Sequence, residues 1–468
     1  MKIEQIYTGC LAQGAYYIES NGEVAIIDPL REVHPYMDKA TTHGAKIKYI
    51  FETHFHADFV SGHVTLANKT GARIIYGPNA ETNFDAVIAR DGQEFTLGNI
   101  VIKVLHTPGH TMESSTFLLF DEAKKEHAIF TGDTLFLGDV GRPDLAQKSS
   151  GMTKELLAET LYDSLRNKIM TLPDSVLVYP GHGAGSACGK NMSKETVGLL
   201  GDQKATNYAL RSDMTKEEFV KEVTTGLQAP PVYFPLNVQM NKEGYADISE
   251  VIEKGTHELT PDEFQEIAEN SHALILDVRT QDEFANSHIP NSIFIGLNGG
   301  FAPWVGALIG DVKQPLLLVA PEGKEEEAIT RLSRVGFDYT LGVLKGGMKA
   351  WENASKEVEK VEGIDAVKFS EVASESKIFD VRKETEFASE RIENAKNTPL
   401  SNLNSFLKEF PEVETFYLHC AGGYRSMIAA SILKQRGIHN FIDVKGGFAA
   451  IQKTAIKTTA FVCPSALK

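Results

Sequence analysis

The C-terminal part of the chain repeats itself, and this restricts the fold more than any other feature. Leu276-Asp277-Val278-Arg279 recurs as Phe379-Asp380-Val381-Arg382, Glu283-Phe284 as Glu386-Phe387, and Lys345-Gly346-Gly347 as Lys445-Gly446-Gly447. The offsets are 103, 103 and 100 residues. Three motifs in the same order at nearly the same spacing indicate two copies of one domain. Each copy alternates apolar strand runs with helical stretches, the pattern of a parallel α/β sheet. The copies are expected at 257–358 and 362–460. Thr260-Pro261-Asp262-Glu263 opens the first with a helix cap.

Residues 1–225 read differently. Short apolar runs such as Glu23–Ile27, Ile47–Phe51, Ile100–Leu105, Ala128–Phe130 and Val176–Tyr179 each end in a polar turn. Those turns carry Asp28-Pro29, Thr53-His54-Phe55-His56-Ala57-Asp58, Thr107-Pro108-Gly109-His110, Thr131-Gly132-Asp133 and Pro180-Gly181-His182-Gly183. Histidine and aspartate thus recur just past strand ends, where sheet-based sites are assembled. A compact metal site needs ligands converging from several strands, and His54, His56, Asp58, His110, Asp133 and His182 offer them. Residues 226–256 contain Pro230, Pro231 and Pro235 and few helix signals, so they read as a linker.

Composition excludes several function classes. With 47 basic against 63 acidic side chains the net charge is −16, a poor match for nucleic acid or anionic lipid. No apolar run reaches the roughly 18 residues of a membrane helix, and no secretory leader is visible. Cys10, Cys188, Cys420 and Cys463 are too sparse for a disulfide framework. The expectation is a cytoplasmic, homo-oligomeric protein of about three domains.

The motifs Thr-His-Phe-His-Ala-Asp, Thr-Pro-Gly-His-Thr, Thr-Gly-Asp and Pro-Gly-His-Gly resemble those of the metallo-β-lactamase superfamily. The resemblance implies an αββα sandwich with metal at one edge. Many members bind two zinc ions, with a histidine directly after the motif aspartate; here that position is Phe59, which cannot ligate. Two histidines and one carboxylate with open positions is the arrangement of non-haem Fe(II) oxygenases. The sequence is similar to the persulfide dioxygenase branch, which implies one Fe(II) per chain held by His54, His110 and Asp133, with zinc as the alternative. His56 is a fourth ligand by spacing and a neighbour of the iron by resemblance, while Asp58 and His182 belong to the pocket. Gly141-Arg142-Pro143-Asp144 resembles the branch's Gly-Arg-x-Asp segment beside the thiol substrate, so Arg142 and Asp144 are expected there, the alternative being a structural turn in which the two pair with each other. Tyr179 is expected to wall the pocket or to end a strand in the core. Cys188 is either a relay thiol facing the metal or a small residue in a glycine-rich turn. Cys10 is expected in the core of an early strand.

The second repeat carries Leu418-His419-Cys420-Ala421-Gly422-Gly423-Tyr424-Arg425-Ser426. A strand, a tight loop and a helix place Cys420 at a helix N-terminus, where loop amides favour a thiolate. Arg425 adds positive charge. This loop resembles that of rhodanese sulfurtransferases, and Asp-Val-Arg and Lys-Gly-Gly fit the same family. One hundred residues earlier stand Ala320 for Cys420 and Glu325 for Arg425, so the first copy is expected to be silent.

The full order resembles bacterial persulfide dioxygenase–rhodanese fusions of sulfide detoxification. That implies oxidation of a low-molecular-weight thiol persulfide by O₂ to sulfite, with sulfur transfer through Cys420 giving thiosulfate. The alternatives are a zinc thioesterase of the glyoxalase II type and a non-oxidative sulfur carrier with a structural metal domain. The carrier thiol and the number of subunits are not legible.

Overall fold

A computed structural model describes residues 1–147, 151–190, 192–227 and 229–463. The chain divides into two compact units. The first comprises Met1–Glu250 with the short pieces Gly310–Val312 and Leu332–Gly336, and the second comprises the remainder.

The first unit contains two six-stranded sheets. In one, six strands from Lys2–Thr8 to Val87–Ile88 pair in chain order, antiparallel at first and parallel from Glu23–Ile27 onward. In the other, strands from Glu94–Leu97 to Gly198–Leu199 also pair in chain order, mostly antiparallel. Strand alternation explains why the sheets stack. Tyr16, Ile18, Ala25 and Ile27 point one way and meet Ile102, Val104, Phe117 and Phe130 of the second sheet in one core. The alternate residues Ala15, Tyr17, Val24 and Ile26 face helices through Tyr36, Ala40 and Leu66. The outer face of the second sheet buries Leu118, Ile129 and Val178 against Leu161 of the helix Lys154–Ser164, Leu165 of the turn Leu165–Ile169 that continues it, and Phe219. The result is helix, sheet, sheet, helix. Thr215 caps Lys216–Thr224 through a reciprocal capping box with Glu218, as its sequence implies.

The segment 226–256 corrects the linker expectation. It holds helices Phe234–Glu243 and Ile248–Gly255. Pro235 lies in the first turn of Phe234–Glu243, where its missing N–H costs no hydrogen bond, so the prolines did not exclude a helix. Asn241 on this helix donates from Nδ2 to the carbonyl oxygens of His56 and Phe59, both at 2.8 Å, and its Oδ1 accepts from the Ser61 N–H at 2.9 Å. It satisfies buried backbone groups that would otherwise be orphaned, and the first unit runs past residue 225 for this reason. Cys10 lies in a turn between strands rather than in a strand.

The second unit contains two five-stranded parallel sheets. Numbering each copy's strands from its own start, both run 1-5-4-2-3. Each Asp-Val-Arg ends the second strand, and its arginine folds back onto its aspartate: Arg279 onto Asp277 and Arg382 onto Asp380, each with a closest contact of 2.6 Å. A buried carboxylate needs such a partner, and the pair stands in both copies, in the one with Ala320 as in the one with Cys420.

Among the described residues, no helix is long and apolar enough to cross a membrane.

Candidate metal centre and thiol loop

His54 follows the strand Lys46–Phe51, and Asp28 follows the neighbouring strand Glu23–Ile27. The Thr53 backbone N–H and hydroxyl both donate to the Asp28 carboxylate at 2.8 Å. The Thr53 oxygen lies 3.0 Å from His54 Nδ1, so that nitrogen donates to it and Nε2 is left free for a metal. His110 is oriented in the same manner: Nδ1 donates to the Arg142 carbonyl oxygen at 2.9 Å. Both Nε2 atoms approach Oδ2 of Asp133, His110 at 3.5 Å and His54 at 3.9 Å.

Asp133 Oδ1 accepts from His182 Nδ1 at 2.8 Å, whereas Oδ2 is buried with no hydrogen-bond partner among the described residues. The ligand atoms of His54, His110 and Asp133 lie within 4.8 Å of one another. An orphaned carboxylate oxygen facing two imidazole lone pairs fits a single divalent ion. Burial, reinforced by His56, holds His54 well below its usual range and therefore neutral, the form that ligates. Burial would raise Asp133, but His182, with His54 and His110, outweighs it and keeps the carboxyl well below the usual range.

His182 also meets Asp58, with Nε2 and Oδ2 2.8 Å apart. Burial disfavours its charge, but Asp133 and Asp58 together hold it well above the usual range. Asp58, His182 and Cys188 form a second convergent group. The Cys188 thiol is buried, and burial followed by Asp133 and Asp58 pushes it up. Phe59 is fully buried and lies against the ring of His56, with centroids 4.3 Å apart.

His56 is turned away from the first group. Its Nε2 lies 3.1 Å from Asp28 Oδ1 and 3.6 Å from Glu52 Oε2. Reading the motifs gave Asp28 and Thr53 no role and passed over Glu52 and Asn241. Glu52, a carboxylate ending a buried strand, was the available signal; Asn241 left none.

Arg142 is already occupied. Its guanidinium binds both Asp144 oxygens at 2.7 Å and the Ala187 carbonyl at 3.2 Å, while its backbone N–H donates to the Cys188 carbonyl. The pair ties the His110 support to the Cys188 segment. Tyr179 departs from the pocket-wall expectation: strand alternation turns it into the inter-sheet core, stacked on Phe130 at 5.1 Å and edge-on to Tyr16 at 5.3 Å.

In the second unit Cys420 follows the strand Phe416–His419 and precedes the helix Tyr424–Gln435. The Gly423 N–H donates to its Sγ at 3.1 Å. The N–H of Phe448 donates to the Cys420 carbonyl at 2.7 Å, and that of Ala449 to Ala421 at 3.0 Å. Gly447 makes this approach possible: its φ is +56°, and a Cβ there would sit 2.5 Å from the Cys420 carbonyl oxygen. Arg425 forms a two-pronged ion pair with Glu386, at 2.6 and 2.9 Å, so its charge is already matched. In the first copy Ala320 follows the strand Leu316–Val319 and Glu325 begins the helix Glu325–Ser333, as the repeat implied.

Comparison with known proteins agrees with this division. The metallo-β-lactamase superfamily description matches residues 8–182, and the rhodanese-like domain description matches 260–354 and 366–454. A probable hydroxyacylglutathione hydrolase of Schizosaccharomyces pombe is 32% identical over 167 residues, 35% of this chain and 60% of that one. The human mitochondrial persulfide dioxygenase ETHE1 is 30% identical over 201 residues, 42% of this chain and 70% of that one. A crystal structure of a metallo-β-lactamase from Staphylococcus aureus is 30% identical, covering 74% of this chain and 98% of that one with a TM-score of 0.65. The chain belongs to the metallo-β-lactamase superfamily, as a fusion of that domain with two rhodanese-like domains.

Proposed function

We propose that the chain oxidises a low-molecular-weight thiol persulfide at one iron held by His54, His110 and Asp133, and that Cys420 transfers sulfane sulfur. The observation carrying the first half is the unpartnered Oδ2 of Asp133 between two histidines oriented through their Nδ1 atoms. The persulfide dioxygenase relatives and the rhodanese-like repeats support the pairing of activities. One persulfide, one O₂ and one water enter, and one thiol and one sulfite leave. Cys420 thiolate takes the outer sulfur of a second thiol persulfide, releasing that thiol, and the Cys420 persulfide passes this sulfur to sulfite, giving thiosulfate and returning as thiolate.

Bound iron supplies the redox chemistry with O₂. Asp28 and Thr53 orient His54, the Arg142 carbonyl orients His110, and His182 holds Asp133 Oδ1. His182, bracketed by Asp133 and Asp58, keeps its proton beside the pocket. His56 acts beside the metal through Asp28 and Glu52. Arg142 and Asp144 shape the side on which the thiol carrier enters, and Cys188 is the candidate relay.

The hydroxyacylglutathione hydrolase relatives favour a second reading, zinc-dependent hydrolysis of a glutathione thioester. Phe59 in the second-metal position and the Cys420 loop weigh against it. The test is metal analysis of anaerobically purified protein with persulfide-dependent O₂ uptake. Full activity with two zincs and no iron would refute the proposal.

A further inference from the structure

A cleft of about 70 Å³ lies between the helix Gln281–Asn286 of the first rhodanese-like copy and the thiol loop of the second. Asp443, on the strand Phe441–Lys445, is its buried floor, 4% exposed. Asp282 and Glu362 stand exposed at its mouth with Lys445, so three carboxylates face one ammonium group. Gly422 and Gly423 line it, and Gly423 is the residue whose N–H holds Cys420 Sγ.

Among the described residues the Oδ1 of Asp443 has no hydrogen-bond partner, although the Ser426 side chain lies against the same carboxyl. Buried carboxylate oxygens without a donor are costly and normally avoided. The fold does not demand a carboxylate here. Asp443 pairs in register with Leu418, and the same register in the first copy pairs Val343 with Leu318. The carboxylate therefore appears only in the copy that carries the nucleophile.

We propose that this cleft seats the primary ammonium group of the small thiol that exchanges sulfur with Cys420, so that the favoured carrier is an aminothiol. The proposal rests on reading Cys420 as the transfer thiol. The ammonium donates to Asp443 Oδ1, with Asp282 and Glu362 drawing it to the mouth. Gly423 both lines the cleft and holds Cys420 Sγ, so an ammonium seated there lies beside the thiol loop. Burial pushes Asp443 up to about 7, and a bound cation restores its charge.

The test uses the full chain and two symmetrical disulfides, cystamine and bis(2-hydroxyethyl) disulfide. The Cys420 thiolate attacks one sulfur, forms a mixed disulfide and releases the other half as thiolate. The rate at Cys420 is read by peptide mass spectrometry, and the quantity compared is the ratio of the two rates. In Asp443→Val, which copies the silent domain, and in Asp443→Asn, the ratio falls about five- to tenfold, the worth of one charge-assisted hydrogen bond. A ratio unchanged within about twofold, or equal losses with both disulfides, overturns the proposal. Should the Asp443 variants fail to fold, the exposed pair Asp282→Asn/Glu362→Gln is used; it lowers the ratio at least about twofold, and an unchanged ratio overturns the proposal. If the ratio falls but no sulfane sulfur is transferred, the subsite stands and the role of Cys420 fails.

Discussion

Tyr424, which ends the thiol loop, donates its phenolic hydrogen to the carbonyl oxygen of Gly296 in the other rhodanese-like copy, at 2.7 Å. Its ring lies where a side chain on Gly299 would be: a Cβ there would fall 2.3 Å from a ring carbon. The Phe294 N–H donates to Ser431 on the following helix at 3.0 Å. The copy with Ala320 thus holds the loop and helix of the copy with Cys420.

Gly299→Ala should therefore disturb Cys420 without touching it. Sulfane-sulfur transfer is expected to fall several-fold, with O₂ uptake unchanged. Tyr424→Phe, which loses one hydrogen bond, should cost about 1 kcal/mol of stability in the second unit. Paired transfer assays and thermal melts check both. Full transfer activity in Gly299→Ala would show that the loop keeps its geometry unaided.

His54→Ala or Asp133→Ala should abolish iron retention and O₂ uptake together. Thr53→Ala keeps all three ligands but removes the hydroxyl between Asp28 and His54, so metal affinity should drop about 10- to 100-fold. Chelator competition followed by metal analysis measures this. Wild-type affinity in Thr53→Ala would mean that the His54 tautomer is fixed by something else.

Cys420→Ser replaces the nucleophile by a hydroxyl of far higher pKa, and transfer should fall to background. O₂ uptake should survive, with product shifting from thiosulfate to sulfite. Loss of O₂ uptake as complete as in Asp133→Ala would mean that the two chemistries are obligately coupled. Unchanged thiosulfate would move attention to Cys188.

Ala320→Cys should give little transfer activity. The new thiol would precede a helix opening with Glu325, Glu326 and Glu327, which repel thiolates and anionic donors. Substantial activity from this single change would show that the acidic turn is no obstacle.

Asp443 links stability to pH. Burial holds its folded pKa near 7, above the ~3.9 of an unfolded chain. Between those values the folded protein keeps a proton that the unfolded chain has lost, so stability falls as pH rises from about 4 to about 7, by at most about 4 kcal/mol. Asp443→Asn should flatten that slope, and its melting advantage over wild type should grow between pH 5 and pH 8. A constant gap across that range would count against a buried, shifted carboxylate.

The repeat, the strand-end histidines and the Cys420 loop were legible because each depends on local rules. Strand runs, capping boxes and a residue's place just after a strand are written in adjacent residues, and a 100-residue offset is enough to find Ala320 beneath Cys420. The chain alone thus determined two α/β copies, one with a cysteine between strand and helix, behind a domain with His54, His110 and Asp133 at strand ends. Only the tertiary structure decided where each side chain turned. His56 faces Asp28 and Glu52, Tyr179 enters the inter-sheet core, Arg425 is matched by Glu386, and Asn241 reaches the site from a segment whose prolines suggested a linker. These outcomes depend on which buried groups lack partners once the sheets stack, and that is set by residues tens to hundreds of positions apart.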